Sequence, residues 1–182
     1  MSKFLTNSES RRKLLGYFFT HVDESFYVRE IAAFIKEDPG NISRDLRKLE
    51  GEGLFNSKTR GRTKYYSLNK GYSLFEEYKK IVFKTTGVGA ALKDFLVGIA
   101  GIEKAYLYGS FAKNNENKNS DIDLIIIGKV PDDFASKVRG LESYLGREIN
   151  FSSYAKEEFE KEKAKKGSFL YLVFKNKVIT IK

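Results

Sequence analysis

Cysteine and tryptophan are absent from the 182 residues, and histidine occurs once. Without cysteine there is no disulfide, no thiolate metal site and no cysteine nucleophile. The single histidine, His21, excludes multi-histidine metal centres and gives a Ser-His-Asp hydrolase no support. Following Thr20 at the end of a predicted helix, it reads as a partner of the helix dipole. No apolar run approaches the ~20 residues of a bilayer crossing, which excludes a helical span. The N-terminal stretch MSKFLTNSESRRK has no signal-peptide apolar region, so a cytoplasmic location is expected. What the chain does have is a core and charge: 41% hydrophobic and 31% charged residues argue against disorder. The net charge of +9 is uneven, with 17 Lys/Arg against 11 Asp/Glu in residues 1–87 and 16 against 13 in residues 88–182. A polyanion partner is therefore expected for the first half.

From Ser8 onward, Leu14, Leu15, Phe18, Phe19 and Val22 recur at helical spacing and predict a helix over residues 9–20. Ile31, Ala32 and Ile35 predict a second helix over 28–35. Glu37-Asp38-Pro39-Gly40-Asn41 reads as a turn in which Asn41 caps a third helix, carried by Ile42, Leu46 and Leu49 to the stop at Gly51/Gly53. Two short strands, 53–55 and 63–68, then flank a loop that holds Gly61. The third helix presents Asn41, Ser43, Arg44, Arg47 and Lys48, side chains that reach base edges or phosphates from a major groove. The hairpin tip presents Lys58, Arg60, Arg62 and Lys64 at a spacing suited to phosphates. This order of elements, with ISRDLRKLEGEGLF and RGRTKYYSLN as the matching pieces, resembles the winged helix-turn-helix domains of prokaryotic transcriptional regulators. The resemblance implies double-stranded DNA as partner. Winged helices also serve as protein-interaction modules, and exposed Arg and Lys are ordinary on solvated helix faces.

Residues 71–86 predict an amphipathic connector helix striped with Leu74, Phe75, Tyr78, Ile81 and Val82, a face for the first domain or for a second copy in a homodimer. Gly87-Val88-Gly89 is the expected hinge. Beyond it come a helix over 90–100, a strand over 104–108, a Gly109-Ser110 turn into a helix, and a polar loop over 114–120. Asp121–Ile127 reads as a strand buried on both faces. A helix over 132–145, a strand over 147–152, a helix over 155–166 and a short strand over 177–181 complete an α/β (α+β) unit. Asp121 and Asp123 stand two apart on a strand, so both carboxylates project from one face. Two such carboxylates suit Mg²⁺, which takes one or two carboxylates plus substrate phosphates. Gly109 and Ser110 offer unobstructed N–H groups and a hydroxyl to a triphosphate.

Gly-Ser, ten residues, then Asp-x-Asp resembles the signature of the DNA polymerase β nucleotidyltransferase superfamily, and within it the minimal nucleotidyltransferases. Covering residues 90–182, the resemblance implies a small mixed sheet with flanking helices, binding of ATP or another NTP with Mg²⁺, and transfer of a nucleoside monophosphate to a hydroxyl. It places Gly109 and Ser110 at the phosphates and makes Asp121 and Asp123 the metal ligands and catalytic acids. Some members are antitoxins that add AMP to a HEPN-type partner, a partner this chain would then share. The family's third acid falls on Asn150, an amide that takes no proton as a base. Glu148, two residues earlier, faces the same side and either replaces it or pairs with Arg147 or a lysine. Lys113 reads as a phosphate contact or an exposed helix lysine, and the 26 Tyr and Phe read mostly as core. The expected organisation is a winged helix-turn-helix over 1–70, connector and hinge over 71–88, and a nucleotidyltransferase-like domain over 89–182. Two functions compete: a DNA-binding transcriptional regulator whose second domain binds NTP and Mg²⁺, or an active Mg²⁺-dependent AMP transferase.

Overall fold

The structure is a computed structural model in which residues 8–182 are described. The start of the N-terminal stretch read for a signal peptide lies outside those residues. Helix and strand are both plentiful, 49% and 21%, which makes the chain mixed α/β with two separate sheets. The backbone divides into two compact units at Ala90/Ala91. No helix among the described residues is long and apolar enough to cross a membrane.

In the first unit, α1 (Glu9–Thr20) starts where Ser8 Oγ accepts the Arg11 N–H at 3.2 Å. β1 (Phe26–Tyr27) leads into α2 (Val28–Ile35) and then α3 (Pro39–Gly51). The expected cap of α3 is corrected. Asp38 caps it, accepting the Asn41 N–H at 3.0 Å, with Pro39 in the first turn where its missing N–H is not needed. Asn41 is therefore a helical residue. β2 (Phe55–Arg60) and β3 (Thr63–Leu68) pair antiparallel with Arg60 opposite Thr63. The hairpin closes through Gly61 (φ +60) and Arg62, the positive φ that two-residue hairpin turns demand. β2 thus runs through Arg60, where the sequence predicts a loop. β1 is an element the sequence does not predict; it adds a third strand, pairing Phe26 with Tyr66.

α4 (Phe75–Thr85) packs Phe75, Tyr78 and Val82 of the expected stripe onto this same unit, whereas Leu74, at its N-cap, is 49% exposed. Phe75 meets Phe19 at 5.5 Å, and both Phe75 and Val82 are buried. The core closes around Phe18, edge-on to Phe26 at 5.4 Å and to Phe55 at 4.7 Å. At the residues read as a hinge, Val88 and Gly89 open α5 (Val88–Val97), and the Gly87 N–H bonds to Val82 O at 2.7 Å.

The second unit is built on β4 (Ile102–Tyr108), α6 (Gly109–Lys113), β5 (Ile122–Gly128), α7 (Phe134–Leu145), β6 (Ile149–Tyr154), α8 (Lys156–Ala164), α9 (Phe169–Phe174) and β7 (Ile179–Thr180). Its mixed sheet has the order β6-β5-β4-β7, with β5 and β6 parallel and the other pairs antiparallel. One face carries Leu124 and Phe151, with Phe134 of α7 edge-on to Phe151 at 4.9 Å. The other carries Ile125 and Ile127 beneath Phe159 of α8 and Leu170 of α9. Each buried aliphatic contributes roughly 1.5–3 kcal/mol. This row fixes the register, because a one-residue slip would turn every side chain of β5 to the wrong face. The packing of β5 is thus what aims Asp121 and Asp123. α9 is likewise absent from the sequence-based expectation.

Candidate functional site

Asp123 lies in β5 between Tyr108 of β4 and Asn150 of β6, its two cross-strand partners. Asp121, two residues earlier, shares its partly exposed side, while Ile122 between them is fully buried. The sheet thus brings together Asp121, Asp123 and Asn150, the residue on which the third acid was expected to fall. That residue is an amide: Asn150 Nδ2 donates to Asp121 Oδ2 at 3.3 Å. Burial raises the Asp123 carboxyl above its ordinary value, the Asp121 charge raises it further, and a hydrogen bond from Asn150 pulls it back. The pair is electrostatically loaded, and a cation would relieve the load.

Gly109 follows β4 and opens α6 with φ +71, in the left-handed region open to glycine. A Cβ at this position would overlap Asp123 Oδ2 and stand 3.2 Å from its Cγ. Gly109 is therefore the glycine that lets the Asp123 carboxylate lie against the Gly-Ser turn. Ser110 follows in α6, and Lys113 is exposed in its last turn. Hard oxygen donors alone, with two carboxylates on one side, fit an ion of the Mg²⁺ class completed by phosphate and water oxygens. Among the described residues no three His, Cys, Asp or Glu cluster as a metal cage, so an ion held by this pair would need ligands from outside the chain's acidic residues.

Arg147 is 7% exposed, more buried than a surface ion-pair partner is expected to be, and its Nη1 donates to the Lys118 carbonyl. It thereby ties the start of β6 to the loop that delivers Asp121. Glu148 is exposed on the same side as Asn150, just before β6, and its carbonyl accepts the Ile122 N–H at 2.9 Å.

In the first unit Asn41, Arg44, Arg47 and Lys48 are exposed and Ser43 is partly so, opposite the buried Ile42, Leu46 and Leu49 of the same helix. Arg47 folds back on Ser43, donating from Nη2 to Oγ at 3.0 Å and from Nε to the carbonyl at 3.3 Å. On the hairpin, Lys58 and Arg60 share the face that bears Tyr65, with the Arg60 guanidinium 5.0 Å from the Tyr65 ring. Arg62 lies in the turn. Lys64 separates from them. It pairs across from Thr59 on the face shared with the buried Tyr66 and joins Glu50 Oε2 at 2.8 Å. Glu50 also accepts a bond from Ser57 Oγ. The Lys64 and Ser57 bonds hold the Glu50 carboxyl below its usual value, and Glu50 holds the Lys64 ammonium above its own. His21 caps α1, buried and stacked on Tyr17 at 4.2 Å, with Nδ1 2.9 Å from the Tyr17 carbonyl. It is part of the structure of the first unit.

Residues 91–175 match the family model described as Polymerase beta, Nucleotidyltransferase. No curated protein matches the chain. Solved structures of similar shape include MepR, a transcription regulator of the Staphylococcus aureus multidrug efflux pump MepA, at 23% identity and TM-score 0.37. That match covers 45% of this chain and 62% of MepR, so the chain spans less than two thirds of the regulator. A toxin-antitoxin assembly with AMP-PNP is similar at 17% identity and TM-score 0.38, covering 52% of this chain and 72% of that one.

Proposed function

We propose that the chain is a DNA-binding transcriptional regulator whose nucleotidyltransferase-type unit binds a nucleoside triphosphate with a divalent cation rather than consuming it. The observation that carries the reading is Asn150: at the third acid position stands an amide that donates to Asp121 instead of a carboxylate that takes a proton. Asp121 and Asp123 would hold the cation, which when bound neutralises phosphate charge. Gly109 and Ser110 would lie along the phosphates. The residue that would draw the proton from an attacking hydroxyl is missing, a deficit on the order of 10²–10⁴-fold in rate.

Label transfer from α-labelled ATP, run beside calorimetric ATP binding in Mg²⁺, tests this. Wild type is expected to bind ATP without transferring label, and Asn150→Asp to gain transfer. Wild-type transfer that disappears in Glu148→Gln would overturn the reading in favour of an AMP transferase, with Glu148 as the base.

In the first unit, α2 and α3 with the β2–β3 hairpin are read as a winged helix-turn-helix, with α3 in the major groove and the tip of the hairpin on the phosphates. Two surfaces of unequal charge follow from the strand register. Arg60→Ala combined with Arg62→Ala is expected to reduce the slope of log K against log salt by about 2, near 0.9 for each phosphate no longer neutralised. Lys64→Ala, on the opposite face and already paired with Glu50, should leave the slope where it was. Equal effects from the two variants, read by anisotropy on a duplex, would remove the wing from the DNA interface.

A further inference from the structure

We propose that Phe169, the first residue of α9, is the stacking surface for the planar base of the nucleotide whose phosphates reach Asp121 and Asp123, an inference that rests on the nucleotide-binding reading above. Three observations support it. Tyr108 is the cross-strand partner of Asp123, and Phe169 stands edge-on to the Tyr108 ring at 5.7 Å and 79°. Aromatic surface therefore continues outward from the carboxylate pair at the end of β4, where the chain passes into Gly109 and Ser110. Phe169 is 49% exposed, whereas its neighbour Leu170 is 1% exposed and anchors α9 to the sheet. Phe169 is thus not needed to hold the helix down. Its backbone is fixed: Ser168 Oγ accepts the Tyr171 N–H at 3.1 Å and donates to the Glu162 carbonyl at 2.5 Å.

A rigid, half-exposed ring beside a polyphosphate site suits a flat π-system better than a flexible aliphatic group. Stacking reads no hydrogen-bonding edge, so the site is expected to accept any base and to favour the larger purines.

The test uses the full chain with Mg²⁺ and two probes: ATP, and inorganic tripolyphosphate, which has no base. Phe169→Ala is expected to weaken ATP about 10-fold, within the range base stacking supplies, and to leave tripolyphosphate affinity unchanged. Phe169→Tyr should restore ATP binding, and Leu172→Ala, an exposed apolar residue one turn on, should have no effect. Equal weakening for both probes, or none for ATP, overturns the assignment while leaving the nucleotide site intact. If wild type binds neither probe, the nucleotide reading itself fails, and the assignment fails with it.

Discussion

Gly109→Ala is expected to weaken Mg²⁺-dependent ATP binding by at least about 100-fold while the protein remains folded. Two costs combine. Residue 109 has φ +71, a region that costs a residue with a Cβ roughly 1–2 kcal/mol. The new methyl group would also occupy the place of Asp123 Oδ2, so the carboxylate must rotate away from the Gly-Ser turn. Removing a single carboxylate ligand from a site with only two takes away most of what holds a hard cation. Gly140→Ala is the matched control. It lies exposed in α7 with nothing within 4 Å of the new Cβ, and should stabilise that helix by roughly 0.5–1 kcal/mol. Calorimetric titration with ATP in Mg²⁺, with circular dichroism for the fold, checks both. A Gly109→Ala protein that binds like wild type would show that Asp123 does not need its present position.

The elements that could be read from the sequence are those whose apolar rows are long. α1 and α2 begin and end where their periodicity predicts, and β5 is the buried strand expected from its run of branched residues. β1 has two residues, too few for any alternation to register, and exists because Phe26 and Tyr27 find β3. α9 has no polar face to give it a period; its start is set by the Ser168 cap. At α3 the sequence reading puts the cap on Asn41, whereas Asp38 caps it, since Pro39 suits the first turn of a helix and ends none that follows it.

The candidate site shows the same division. Asp121 and Asp123 follow from strand alternation, and their nearness to Asn150 follows from parallel pairing of β5 with β6. Lys64 was open to the same logic. Across a two-residue turn at Gly61-Arg62, Lys58 meets Tyr65, so Lys64 must fall on the other face. Arg147 to Lys118 and Phe169 to Tyr108 were not legible, because each joins residues far apart in the chain and depends on how helices settle on the sheet.

Asp123→Asn is expected to abolish cation-dependent nucleotide binding and at the same time to make the metal-free protein more stable at neutral pH. The ionised carboxylate at 123 is held above its ordinary value first by burial and then by the Asp121 charge, with Asn150 opposing. A carboxyl whose folded value is raised binds its proton more tightly when folded than when unfolded. Its ionisation therefore costs stability above the folded value, and the cost disappears as pH falls below the unfolded value of 3.8. The amide has no such term. In EDTA the variant should thus melt higher than wild type at pH 7, and the gap should close as the pH is lowered toward that value. Asp121→Asn should shrink the same cost from the other side, since it removes the charge that loads Asp123. A variant that melts lower than wild type at pH 7, or a gap that widens in acid, would mean that the Asp123 carboxylate is a stabilising element of the sheet rather than a group the fold holds at a cost for a cation to relieve.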